Sequence, residues 1–177
     1  MPGALRTIAF RSIAYCTFAS LLLINLSGCA TYQVGNQTLH RPDIRSVHVP
    51  IFKSESHRRF LGQQLTEAVV KQIERDTPIA IADPAFADSF LRGTIVRERK
   101  RSQVLDRFGE PRVLQSDWAV EVEWVDRNGS PLMRWENLTI SDAVEFIPEG
   151  GQSLASAQRE LIQKIARQIV GQMELPW

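Results

Sequence analysis

The sequence predicts an α+β fold: a two-layer sandwich in which a mixed, mostly antiparallel sheet of about four strands carries two helices on one face. Three observations lead there. Apolar residues recur three or four apart in two separate stretches, Leu61 to Ile73 and Leu154 to Ile169, and each makes a single apolar stripe. Between them Trp118, Val120, Val122 and Trp124 alternate with Glu121 and Glu123, the signature of a strand with one buried face. The order strand, helix, several strands, helix leaves both stripes to be buried economically against one side of one sheet.

The chain opens with Arg6 and Arg11, an apolar run from near Ile13 that is dense at Leu21, Leu22 and Leu23, and then Leu26-Ser27-Gly28-Cys29. This is the order of a bacterial secretory signal, and the cysteine after Ser-Gly makes it a lipoprotein signal. An uncleaved anchor fits less well, because Arg11 lies too close to Cys29 to leave ~20 clean apolar residues. Thr17, Ser20 and Asn25 interrupt the run further. The expected organisation is a signal over residues 1–28, a lipidated tether over 29–44 with acyl chains on Cys29, and an α+β domain over 45–177.

Of the two cysteines, Cys16 leaves with the signal and Cys29 is consumed by lipid, so no thiol remains for a disulfide, a metal or a nucleophile. The whole chain has 21 basic and 20 acidic residues; losing Arg6 and Arg11 leaves 19 and 20, a net charge of −1. That balance argues against a nucleic-acid binder, which needs a basic surplus. The mature length is enough to close one hydrophobic core.

Ser46 to Phe52 alternates Val47, Val49 and Ile51 and reads as a strand, either at an edge or with its other side unpaired at Pro50, which has no N–H to donate. A helix follows from about Arg58 to Asp76 with Ser56 as its N-cap, stopped by Thr77-Pro78. Ile79 to Ala82 is a short strand and Phe90 to Arg101 a longer one, with Leu91, Gly93 and Ile95 facing inward and Arg97, Arg99 and Arg101 continuing the same face beyond the core. The loop from Asp106 to Pro111 leads into the tryptophan strand, Asn128-Gly129 marks a hairpin turn, and Leu132 to Val144 returns. Ser153 caps the last helix, which runs to about Met173.

Catalytic chemistry needs converging reactive groups, and none are nominated. His40, His48 and His57 have no metal-ligand spacing, and neither a phosphate-binding glycine loop nor a nucleophile elbow is present. Neither a cofactor nor a metal is expected. The sharper feature is basic clustering: Arg97, Arg99, Lys100 and Arg101, followed by Arg107 and by Arg112 returning near Arg101, with a second group at Lys53, Arg58 and Arg59. Guanidinium groups at a strand tip can grip phosphates by paired hydrogen bonds. The plainer reading, favoured on the residues alone, is solvated strand-end cations paired with Glu98, Asp106 and Glu110. Trp118 and Trp124 read as core; Trp135 covers the helices or faces a partner; Trp177 is an exposed anchor or a clasp.

Several stretches resemble the lipopolysaccharide-assembly lipoprotein family LptE, in its divergent rather than enterobacterial branch. They are Cys29-Ala-Thr-Tyr32-Gln-Val-Gly35, Val47-His-Val-Pro-Ile-Phe52, Leu65-Thr-Glu-Ala68 with Thr77-Pro78, Ala87-Asp-Ser-Phe-Leu91-Arg-Gly93-Thr-Ile95, and Trp135-Glu-Asn137. The resemblance implies a small mixed sheet with two helices on one face and no enzymatic activity. It implies two partners, an LptD-like outer-membrane β-barrel that the protein plugs and lipopolysaccharide, with Arg99, Lys100, Arg101 and Arg107 in the region of ligand contact. Ala30 after the lipid cysteine implies export to the outer membrane, facing the periplasm. The competing expectation is a stand-alone periplasmic lipoprotein that binds a ligand or peptidoglycan.

Overall fold

The computed structural model describes residues 40–174 apart from His57, Arg59 and Asp106, so Cys29, the expected signal segment and Trp177 lie outside the described residues. The strands are β1 (Ser46–His48), β2 (Lys53–Ser54), β3 (Ala80–Ile81), β4 (Ser89–Leu105), β5 (Pro111–Asp126) and β6 (Leu138–Phe146); the helices are α1 (Leu61–Asp76) and α2 (Leu154–Gly171). All six strands form one open sheet in the order β3-β1-β4-β5-β6, with β2 also against β4. The β1–β3, β1–β4 and β2–β4 pairings are parallel, and β4–β5–β6 is an antiparallel meander. The fold is the anticipated α+β sandwich, with six strands rather than about four.

One of the added strands comes from division of the first segment. Ser46 to Phe52 does not run as a single strand: it pairs with β4 at Val47 and His48, leaves the ladder around Pro50, and rejoins it at Lys53. A proline cannot donate to a ladder, so the pairing lapses there; β1 itself is not the edge that the sequence offered as one alternative, because it lies between β3 and β4. Phe52 turns inward at the break, its N–H donating to the Thr66 hydroxyl at 2.8 Å while that hydroxyl donates to the Gly62 carbonyl at 2.8 Å.

Gly62 makes this approach possible. A Cβ there would stand 2.0 Å from the Phe52 carbonyl oxygen, and one on Gly93 would stand 2.4 Å from the Phe52 ring. Gly62→Ala must therefore push α1 off the edge, and a stability loss of about 1–3 kcal/mol is expected from overpacking. Equilibrium urea denaturation measures it; an unchanged midpoint would show that the helix shifts at no cost.

The stripe of α1 is buried as expected, at Leu61, Leu65, Ala68, Val69 and Ile73. Its start is not. The helix begins at Leu61 rather than Arg58, and its N-cap is Phe60, in a left-handed conformation at φ 66° and without a side-chain cap. Ser56 is engaged elsewhere, its hydroxyl donating to Glu98 of β4. At the other end the Thr77 N–H and hydroxyl both donate to the Ile73 carbonyl at 2.9 Å, and Pro78 follows. In α2, Ser153 caps as expected and accepts the Ser156 N–H at 3.0 Å.

Both helices lie on the face that Trp118, Val120, Val122 and Trp124 share with Leu91 and Ile95, and those side chains form one core with Leu65, Ile73, Leu161, Ile165 and Ile169. Trp124 donates its indole N–H to the Ser89 hydroxyl at 3.0 Å. His40 and Ile44, from the expected tether, are also buried.

Two carboxylates brace the ends of strands. The Ser46 hydroxyl and the Arg45 backbone N–H hold Asp88 below the usual carboxylate range, and the Ser130 and Asn128 backbone N–H groups do the same for Asp126 in the hairpin turn. A depressed folded pKa contributes stability above the unfolded value and loses it as pH falls through the folded one. Asp126→Asn should therefore lower stability at neutral pH and flatten its decline on acidification, as read from thermal midpoints across an acid pH series; a parallel decline in both proteins would refute the linkage.

Candidate functional site: a basic arm on the open face

The face of the sheet away from the helices has no covering layer among the described residues. On β5 it carries Gln115, Asp117, Ala119, Glu121 and Glu123, and on β6 Thr139, Ser141, Ala143 and Glu145. Nearly every position is polar or small, so this face is built to meet water or a wet partner.

The arginine row reaches this face through a bulge. Ile95 pairs with Val120 but Arg97 pairs with Ala119, so Val96 is the extra residue. One inserted residue flips every later side chain to the other side of the sheet. Arg97, Arg99 and Arg101 therefore do not continue the Leu91–Ile95 face, as the alternation had suggested; they stand on the open face. Lys100 and Glu98 stand on the helix side, Lys100 with its ammonium 6.0 Å from the Phe146 ring centre.

The counter-ion that Arg97 and Arg101 share is not among the expected acids. Asp117 lies between the arginines, only 6% exposed. Arg101 Nε donates to its Oδ1 at 3.0 Å, while Arg97 Nε sits 3.5 Å from Oδ2 without hydrogen-bond alignment. Glu98, one of the expected acids, pairs with Arg58 of the second basic group at 3.0 Å and, more distantly, meets the Gln158 amide at 3.5 Å, tying the loop before α1 to β4 and α2. Arg112 does not return beside Arg101, which faces Gln115; it lies nearer the tip and reaches Glu149. Arg107 stacks over Phe108, its guanidinium 4.7 Å from the ring centre.

Two basic groups separate in sequence are thus drawn together. Arg58, Arg97 and Arg99 line one open cavity of about 400 Å³ with Glu55, Ser56 and Glu98. Lys53 lies apart, in a second cavity of about 380 Å³ with Arg92 and Glu121. Arg59 and Asp106 fall outside the described residues. The residue that the sequence reading missed is Asp117, whose significance depends on the bulge placing it under the arginine row. Among the described residues, no cluster of three or more His, Cys, Asp or Glu side chains could hold a metal ion, and no helix is long and apolar enough to cross a membrane.

The arm is the longest feature of the sheet. β4 has 17 residues and β5 has 16, and β6 follows them only as far as the Leu114–Phe146 pair. Beyond it the hairpin runs on as two strands.

Comparison with known proteins places this architecture. The model of the LptE family, described as lipopolysaccharide-assembly, matches residues 44–174. The chain belongs to the LptE family. That family is one of non-enzymatic lipopolysaccharide-assembly lipoproteins of Gram-negative bacteria. No curated protein matches this LptE-family sequence. Among solved structures, a protein from Xanthomonas campestris is similar at TM-score 0.52 and 12% identity, over 75% of this chain and 87% of that one. The rare lipoprotein B from Shewanella oneidensis is similar at TM-score 0.48 and 16% identity, over 71% and 92%. An uncharacterized lipoprotein B from Nitrosomonas europaea reaches 0.48 and 15%, over 79% and 90%. At such identities the likeness speaks for the fold alone, and only the first is strong enough to argue from.

Proposed function

We propose that this LptE-family chain is the plug and accessory subunit of an LptD-like outer-membrane barrel in the assembly and transport of lipopolysaccharide to the outer leaflet. The observation that carries the reading is the polar open face running into a basic arm, on a chain of a lipopolysaccharide-assembly family. A barrel lumen is polar and wet, and a body that fills it needs a firm core with hydrophilic outer faces. Cys29 supplies the lipid anchor, holding the domain on the periplasmic side of the outer membrane. Two or more acyl chains make such attachment stable. The arginines of the arm face the phosphates of lipopolysaccharide, and the protein performs no reaction of its own.

Two measurements test this. Tagged full-length protein extracted in mild detergent should bring down a large outer-membrane barrel at constant ratio; recovery as a monodisperse monomer from intact membranes would overturn the plug role and favour the stand-alone lipoprotein. Intact mass should show a chain that begins at Cys29 and carries acyl groups. Retention of residues 1–28 would refute the anchor.

A further inference from the structure

The end of the arm does not suit a wet lumen. Three large apolar side chains are exposed there, Val104 at 51%, Leu105 at 56% and Phe108 at 75%. They lie beyond the last β6 pair, where no third strand extends the sheet. Register irregularities between Ser102 and Leu105 give the tip its own local geometry, distinct from the regular ladder below. Positive charge lies near them: from Arg99 to Val113 the sequence has five basic residues against Asp106 and Glu110, and with Arg101 paired to Asp117 and Arg112 to Glu149, the cations left for a partner are Arg99, Lys100 and Arg107. The Arg107 guanidinium lies over the Phe108 ring, so a cation and an aromatic edge are presented as one unit.

Apolar side chains set among cations are the composition of segments that lie in a membrane interface, with apolar groups at the acyl boundary and cations at the phosphate level. The negative potential of an anionic bilayer attracts such a group and falls off within a Debye length. An aqueous lumen offers no comparable environment for Leu105 and Phe108. We propose that the β4–β5 hairpin tip is a lipid-interface wedge, in which Leu105 and Phe108 enter the acyl boundary of an anionic phospholipid bilayer while Arg107 and neighbouring cations hold its phosphates. This contact requires neither the barrel nor lipopolysaccharide.

The test uses full-length, membrane-extracted protein carrying Phe108→Cys, labelled with an environment-sensitive fluorophore and reconstituted into vesicles free of lipopolysaccharide. The unsubstituted protein, treated identically, corrects for labelling at the native cysteines. Phosphatidylglycerol-rich vesicles should shift the emission to the blue, and phosphatidylcholine vesicles should shift it less. A label at Asn128→Cys, in the exposed turn at the opposite end of β5, should stay in water. Leu105→Cys, labelled alone, provides a second report from the tip, so the result does not depend on one substitution. The proposal is overturned if the tip labels stay polar on anionic vesicles, if both lipid types give equal shifts, if the Asn128 label shifts as much, or if the shift needs an added barrel protein. None of these outcomes bears on whether a barrel co-purifies.

Discussion

Trp124→Ala should cost about 3–5 kcal/mol of stability, the range for emptying a large aromatic site in a core. Trp124 is buried among Leu91, Val122 and the helices, and its indole N–H reaches the Ser89 hydroxyl, which itself donates to the Ser46 carbonyl at 3.0 Å. The substitution removes packing and one end of a chain that links β5, β4 and β1. Trp118 gives the contrast. It is equally buried, yet its indole nitrogen has no hydrogen-bond partner among the described residues. A buried unpaired donor costs about 1–3 kcal/mol. Trp118→Phe discards that liability along with some volume, so its net change should stay within about 1.5 kcal/mol. Trp124→Phe leaves the shape similar but breaks a satisfied bond, and should be the more damaging of the two. Paired urea titrations decide. If Trp118→Phe is the worse variant, packing volume outweighs the polar accounting.

The same core explains why much of the fold could be read from the residues. The stripes of α1 and α2 and the alternation of Trp118 to Trp124 are periodic signals that a single buried face writes directly into the chain. What escaped was decided by partners far away in sequence. Ser56 has the residue type of an N-cap, but Glu98, 42 residues on, engages its hydroxyl, and α1 starts late with Phe60 in its place. The bulge at Val96 has no local mark either: Leu91, Gly93, Ile95, Arg97, Arg99 and Arg101 keep an unbroken period of two, and only pairing with Ala119 reveals the inserted residue. Arginines read as an overrun of the buried face therefore stand on the open one, and their counter-ion, Asp117, went unrecognised. The composition of the basic cluster was readable; its geometry was not.

That geometry makes two opposite changes expected in one assay. Replacing Arg99, Lys100 and Arg101 together by serine should weaken lipopolysaccharide binding at low salt by at least about tenfold, because each cation near an anionic lipid surface contributes about 1 kcal/mol and Arg101 is partly committed to Asp117. Asp117→Asn should act in the other direction. It keeps the shape and an acceptor for the Arg101 N–H, removes the carboxylate that Arg97 and Arg101 share, and leaves two guanidinium groups to meet phosphate. Affinity at low salt should rise and then converge with the unsubstituted protein as salt screens the added charge. Stability should fall, since two neighbouring arginines lose their shared counter-ion. The pair of variants separates ligand contact from structural pairing: a purely structural cluster would leave binding unchanged in the serine variant and give Asp117→Asn a stability loss alone. Lipopolysaccharide affinity measured across a salt series on both proteins, beside their denaturation midpoints, distinguishes the two, and an unaltered salt slope in both would remove the arm from ligand recognition.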